Sequence, residues 1–216
     1  MDYQIVMKEQ YEIIPDLSLL DTTELARYQR LLRPQKQLEF LTGRTFLKQM
    51  LADCLGLAPT AISLSVTDTG KPYLPALAET RFPYFNLSHS DGHYLVGLSR
   101  FPIGVDIEAP RPIELHQVQP FLSTDEFRQL DLLPQAQRSA AFFRLFTTKE
   151  AFLKATDMRW KLDEISFHLE NQHWKLSAPH GPFPFYQTDY RGCCVAVCLD
   201  ATSTTRANSV NGSSSH

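Results

Sequence analysis

Two acids interrupt an apolar run at "PIGVDIEAP", residues 102–110, where Asp106 and Glu108 alternate with Ile103, Val105 and Ile107. In an extended strand successive side chains point to opposite faces, so both carboxylates share one side and the three aliphatics the other. Their Cα atoms then lie about 6.5 Å apart, near enough for both carboxylates to reach one cation. A solvated strand end ahead of Pro110 explains the two acids equally well.

A third acid tilts the balance. Placed at 100° per residue, "SAAFFRLFTTKEAFLKA" (139–155) gathers Phe142, Leu145, Phe146, Phe152 and Leu153 into one arc of a helix. Glu150 and Lys154 lie beside that arc, one turn apart. Lys149 falls inside it, where a charge is misplaced unless it snorkels or meets an anion. A surface Glu150–Lys154 pair, worth about 0.3–0.5 kcal/mol, leaves Lys149 unexplained. Three carboxylates with two lysines alongside suit a divalent cation that holds phosphate oxygens. Oxygen-only ligands favour Mg²⁺, with Mn²⁺ as the alternative, over zinc. His89 and His93 are four apart across a glycine-containing turn with no thiol near them in sequence, which is a poor zinc pattern.

Positive charges and donors recur in the first half of the chain. Arg44 and Lys48 sit four apart on a helix, "TDTGKPYLP" offers Lys71 beside Pro72 in a turn, and "FNLSHSDG" offers Ser88 and His89 where a strand breaks. Each has an ordinary explanation in solubility or turn chemistry. Together they are what a small polyanion requires.

The elements that must hold these residues repeat a plan. Leu38–Leu55 reads as a helix with Phe40, Leu47, Met50, Leu51 and Cys54 on one side and Gly56 as its stop. A shorter helix capped by Thr22 or Thr23 precedes it, carrying Arg27 and Arg30 and ending near Pro34. "AISLSV", "YFNLS" and "YLVGLS" read as strands, the last two separated by the turn-rich "SHSDGH". After the acids come the 139–155 helix and then "ISFHLE", "HWKLS", "FPFYQT" and "CCVAVCL". The expected fold class is α+β: a pseudo-twofold pair of similar subdomains, each a long helix on a small antiparallel sheet. Residues 1–105 form one half, 106–200 the other, and 201–216 a disordered tail.

Composition narrows the function. The 216 residues are 43% hydrophobic and 21% charged with a net charge of −3, which supports a sizeable core and excludes bulk disorder. It also argues against a general grip on nucleic acid. No window approaches the roughly 18 apolar residues of a membrane span, and the N-terminus lacks the apolar core of a signal peptide. Cys54, Cys193, Cys194 and Cys198 form no CxxC pair and are expected to be reduced, in keeping with the cytoplasm.

"GKPYLP" (70–75), "FNLSHSDG" (85–92), "IGVDIE" (103–108) and "FFRLFTTKEAFLKA" (142–155), in this order and spacing, resemble the broad-substrate phosphopantetheinyl transferases that activate peptide and polyketide synthetases, such as surfactin synthetase. The resemblance runs from about residue 24 to about residue 199. It implies a monomer of two similar halves with coenzyme A between them, and transfer of the 4′-phosphopantetheine arm to a serine of an acyl or peptidyl carrier protein. Asp106, Glu108 and Glu150 match the metal ligands, and Lys149 and Lys154 match contacts to pyrophosphate and nucleotide. Ser88 and His89 match contacts to the coenzyme's phosphates, and Lys71 with Pro72 lines the adenine side. Arg44 falls near the 3′-phosphate, with Arg27 as the weaker candidate. Glu150 is the expected base for the carrier serine, acting directly or through water, and Lys154 would stabilise the leaving group. Residues 111–130 are expected to supply the carrier-docking strip.

The chain departs from the family pattern in three places. Phe146 replaces the usual tryptophan, "TDMRW" (156–160) replaces a glycine-rich turn, and Asp91 is inserted before Gly92. Two other readings compete. An Mg²⁺-dependent nuclease would want an acid–x–lysine triplet where this chain has Ala109–Pro110. A non-catalytic coenzyme A binding or carrier-docking module keeps the motifs without the transfer.

Overall fold

The computed structural model describes residues 2–67, 70–75, 80–162, 164–177 and 183–202. The chain divides into two compact units, Met1–Arg100 and Phe101–His216. The division falls five residues ahead of the 105/106 boundary read from sequence, because the strand bearing the acids, Ile103–Glu108, lies wholly in the second unit.

The first unit contains β1 (Tyr3–Glu9), α1 (Thr22–Arg30), α2 (Pro34–Leu55), β2 (Ser65–Val66), β3 (Pro72–Tyr73), β4 (Tyr84–Ser90) and β5 (His93–Ser99). Its sheet is antiparallel in the order β1-β5-β4, and β2 and β3 form a separate two-residue ribbon. Helix α1 is capped by Asp21, not by Thr22 or Thr23. Asp21 Oδ1 accepts from the Glu24 amide at 2.9 Å and Glu24 Oε2 accepts from the Asp21 amide at 3.2 Å, a reciprocal capping box. Helix α2 starts at Pro34, four residues before the expected Leu38. Proline at the first helical position loses no hydrogen bond and has its φ already set. The helix ends on Gly56 in the left-handed region (φ 67°), as the sequence indicates. Phe46, Leu47 and Leu51 of α2 pack with Phe85, Val96 and Leu98 of the sheet. Phe40 stays outside this core, beneath Arg27 and Arg44 at 5.4 and 5.3 Å.

Only the last two residues of "AISLSV" are strand; Pro59–Ala61 is a 3₁₀ turn, since its proline and alanine favour a turn over pairing. "SHSDGH" is mostly strand, with Asp91 (φ 47°) and Gly92 (φ 76°) alone forming the tight hairpin between β4 and β5. Strand β1 went unread in the sequence although "YQIVM" is rich in β-formers.

The second unit contains β6 (Ile103–Glu108), α3 (Leu115–Val118), α4 (Thr124–Asp131), α5 (Gln135–Ala155), β7 (Phe167–Glu170), β8 (His173–Leu176), β9 (Phe185–Tyr190) and β10 (Cys193–Leu199). Its main sheet is antiparallel in the order β6-β10-β9, with β7 and β8 as a separate hairpin. Each unit therefore sets one long helix on a three-stranded antiparallel sheet, the α+β architecture expected. Phe142, Leu145, Phe152 and Leu153 of α5 pack with Trp174, Cys194, Ala196 and Cys198. Phe146, in the place of the family's tryptophan, stacks on Phe142 at 5.8 Å and meets Phe121 edge-on at 6.0 Å.

The "TDMRW" stretch closes α5 without glycine. The Met158 amide bonds to the Leu153 carbonyl at 2.8 Å in a Schellman pattern, with Asp157 (φ 54°) and Met158 (φ 56°) both left-handed. Arg159 donates to the Thr156 carbonyl and to Asp200, tying the helix end to the end of β10. All four cysteines are free thiols. Burial, the largest cause, pushes the Cys194 thiol up to about 12. The expected disordered tail lies, beyond Thr202, outside the described residues. Among the described residues no helix is long and apolar enough to cross a membrane.

Candidate active site

Strand β6 presents its even-numbered residues to α5. A Cβ on Gly104 would stand 1.9 Å from the Ala151 carbonyl oxygen and 2.5 Å from the Ala155 nitrogen, so only glycine allows this approach. The register puts Cys198 opposite Gly104, Ala196 opposite Asp106 and Cys194 opposite Glu108. Small side chains thus line the contact, and α5 lies close enough for Glu150 and Lys154 to face the strand's acids. The other face of β6, Ile103, Val105 and Ile107, is buried throughout.

Asp106 is only 4% exposed. Its Oδ1 accepts from Lys154 Nζ at 2.5 Å, and the same ammonium lies 3.4 Å from the Val105 carbonyl. Glu108 is half-buried, with the exposed Arg111 guanidinium 3.6 Å away. Burial raises the proton affinity of Glu150 most; Lys154 lowers it, and the charges of Asp106 and Glu108 raise it further, leaving its pKa above the ordinary carboxylate value. Glu150 thus lies within electrostatic reach of Asp106, Glu108 and Lys154. The three acids do not stand as a ready-made metal cluster: among the described residues no three His, Cys, Asp or Glu side chains do. Lys154 holds Asp106 in that position instead.

Lys149 corrects an expectation. It is fully buried, with Nζ 2.7 Å from Glu126 Oε2 and 3.1 Å from the Phe121 carbonyl. The anion that justifies its place in the apolar arc is a carboxylate of the protein, and no pyrophosphate reaches an ammonium so enclosed. Glu126 was missed. It accepts from the Ser123 amide (2.7 Å), from Lys149 and, through Oε1, from the Phe167 amide (2.9 Å), so one side chain joins α4, α5 and β7. Its signal was the "STDE" capping box at 123–126.

In the first unit, Arg44 and Lys48 are buried and share Glu24, at 3.2 and 2.6 Å. Lys48 also donates to the Leu19 carbonyl at 2.6 Å. Two cations on one carboxylate leave a positive surplus beside Phe40 and Arg27. Ser88 and His89 lie within β4 ahead of the turn; Ser88 is buried, while His89 is exposed and stacks on Tyr94 at 5.4 Å. Lys71 precedes β3, its amide donating to Thr67 Oγ1 at 3.1 Å, and Pro72 pairs with Val66.

Residues 102–198 match the family model of the 4′-phosphopantetheinyl transferase superfamily, and residues 7–101 match that of the 4′-phosphopantetheinyl transferase N-terminal region. Among curated proteins, the chain is 40% identical over 142 residues to a Synechocystis protein provisionally named a 4′-phosphopantetheinyl transferase, covering 64% of this chain and 57% of that one. It is 31% identical over 153 residues to a Bacillus subtilis 4′-phosphopantetheinyl transferase, covering 69% of this chain and 67% of that one. To the 4′-phosphopantetheinyl transferase HetI of Nostoc it is 36% identical over 154 residues, covering 69% and 65%. The chain spans less than two thirds of the Synechocystis and Nostoc relatives. It belongs to the 4′-phosphopantetheinyl transferase superfamily, as its four motifs implied.

Proposed function

We propose that this protein transfers the 4′-phosphopantetheine arm of coenzyme A to the serine of an apo acyl or peptidyl carrier protein, with release of adenosine 3′,5′-bisphosphate. It acts as a broad-substrate enzyme and as a cytoplasmic monomer. The observation that carries this reading is the close approach of α5 to β6 at Gly104, which sets Lys154 Nζ 2.5 Å from Asp106 and brings Glu150 to the strand's acids. There burial first, and the charges of Asp106 and Glu108 after it, raise the proton affinity of Glu150. A base for a serine hydroxyl needs that raised affinity.

The donor set fits Mg²⁺ or Mn²⁺: three carboxylates, all hard oxygen ligands, whose mutual repulsion a cation relieves. Asp106, Glu108 and Glu150 would hold it. Once bound, the ion supplies charge compensation for the coenzyme's pyrophosphate. Glu150 takes the proton of the carrier serine as its oxygen attacks the β-phosphate, and the bond to the nucleotide phosphate breaks. Lys154 sets its ammonium beside the departing phosphate. Arg44, with Arg27 near, suits the 3′-phosphate, and Ser88, His89, Lys71 and Pro72 suit the rest of the coenzyme. A hollow of about 460 Å³ within residues 111–130, bordered by polar His116, Gln119, Ser123 and Thr124 as well as Leu122 and Phe127, suits a carrier that offers both apolar and polar side chains.

The test incubates the protein with coenzyme A, MgCl₂ and an apo-carrier and follows the carrier by intact-mass spectrometry. Gain of one phosphopantetheine is expected, and its loss in Glu150→Gln and Asp106→Ala with circular dichroism unchanged. Near-native turnover in both variants refutes the site. Coenzyme A binding without any gain of carrier mass refutes the transfer.

A further inference from the structure

We propose that Lys154 is the resident counter-cation of Asp106 and that a divalent ion enters the acids by displacing it. The inference rests on the metal assignment above and adds the order of events. Asp106 is buried, and a buried carboxylate without a cation is costly. The charge that compensates it is the Lys154 ammonium, 2.5 Å from Oδ1.

Two features make this ammonium exchangeable. Its side chain is 21% exposed on a flexible four-carbon stem, so it can swing out, whereas the neighbouring Lys149 is 1% exposed and held by two partners. Lys154 also sits one helical turn beyond Glu150 and reaches across to the strand that carries Asp106 and Glu108, 2.5 Å from Asp106 and 3.4 Å from the Val105 carbonyl. A cation that reaches Asp106 by either carboxylate oxygen comes within a few ångström of the ammonium held 2.5 Å from Oδ1, and that like charge drives the lysine out. The displaced ammonium is then left at the edge of the site, where a phosphate of the substrate can receive it. Lys154 in this account holds Asp106 in place in the metal-free protein and becomes a phosphate ligand only once the ion has arrived.

The experiment uses the full chain without coenzyme A, titrated with Mn²⁺ and read as free Mn²⁺ by electron paramagnetic resonance. Lys154→Met should bind Mn²⁺ at least five-fold more tightly than the wild type, and Asp106→Asn should abolish binding. Arg111→Met, which removes a cation lying 3.6 Å from Glu108, should change affinity less than two-fold. If Asp106-dependent binding occurs in the wild type but Lys154→Met binds no more tightly, or Arg111→Met tightens binding as much, displacement is overturned while the metal assignment stands. If Asp106→Asn leaves Mn²⁺ binding intact, both fall. Should Lys154→Met fail to fold, lysine ¹⁵Nζ spectra of the wild type decide: the Lys154 signal must shift on saturation with Mg²⁺, and a signal that stays in place overturns the proposal.

Discussion

Gly104→Ala tests the close approach that brings β6 and α5 together. The added Cβ meets the Ala151 carbonyl oxygen at 1.9 Å and the Ala155 nitrogen at 2.5 Å, both backbone atoms that no rotamer change can move. Real Cβ contacts essentially never fall below 3.0 Å, so the oxygen must retreat by about 1.1 Å, from 1.9 to 3.0 Å. Overpacking of this kind costs about 1–3 kcal/mol, and a rigid helix backbone puts Gly104 at the upper end. About 3 kcal/mol corresponds to a melting temperature lowered by roughly 6–12 °C for a chain of this size. The same shift carries Glu150 and Lys154 away from Asp106, and a misplacement near 1 Å costs on the order of 100-fold in rate. Thermal unfolding and carrier pantetheinylation measure the two effects. Gly43→Ala is the control, because its Cβ meets side chains and no backbone, Leu87 at 3.2 Å, which can turn aside, and the Tyr94 ring at an ordinary 3.6 Å. Gly104→Ala with wild-type stability and turnover refutes the close approach as the device that positions the site.

Two further substitutions probe the rest of the second unit. Lys149→Met should lose about 3–5 kcal/mol in urea unfolding by stranding Glu126, and adding Glu126→Gln should recover at least half of it. If that double variant is stable yet its KM for coenzyme A rises more than ten-fold, Lys149 is a pyrophosphate contact after all. Asp157→Gly should gain about 0.5–1 kcal/mol by relieving a left-handed backbone at a Schellman cap, and no gain refutes that account.

Helices α2 and α5 were legible because their apolar spacing is strong, yet both begin four residues early, since the apolar period does not extend into their polar first turns. Strands β4, β6 and β10 were legible as runs of β-formers. Strand β1 was not: its residues are at most half-buried, so no sharp alternation marks it. "AISLSV" failed in the opposite sense. Ile62 is buried and Val66 exposed, so the alternation was real in composition but was not that of a strand through its whole length.

The site shows the same limit at finer scale. Helical phase places Lys149 inside the apolar arc and Lys154 beside it, and both have the chemistry to meet a phosphate. What separates them is a partner from elsewhere in the chain. Glu126, fixed by its capping box on α4 and by the Phe167 amide, waits where Lys149 must point. Asp106, carried on the strand that Gly104 lets approach, waits where Lys154 must point. One lysine is thereby enclosed and the other left at the rim, one-fifth exposed. Spacing along one helix cannot encode that choice; it is made by which carboxylate the rest of the fold delivers to each turn.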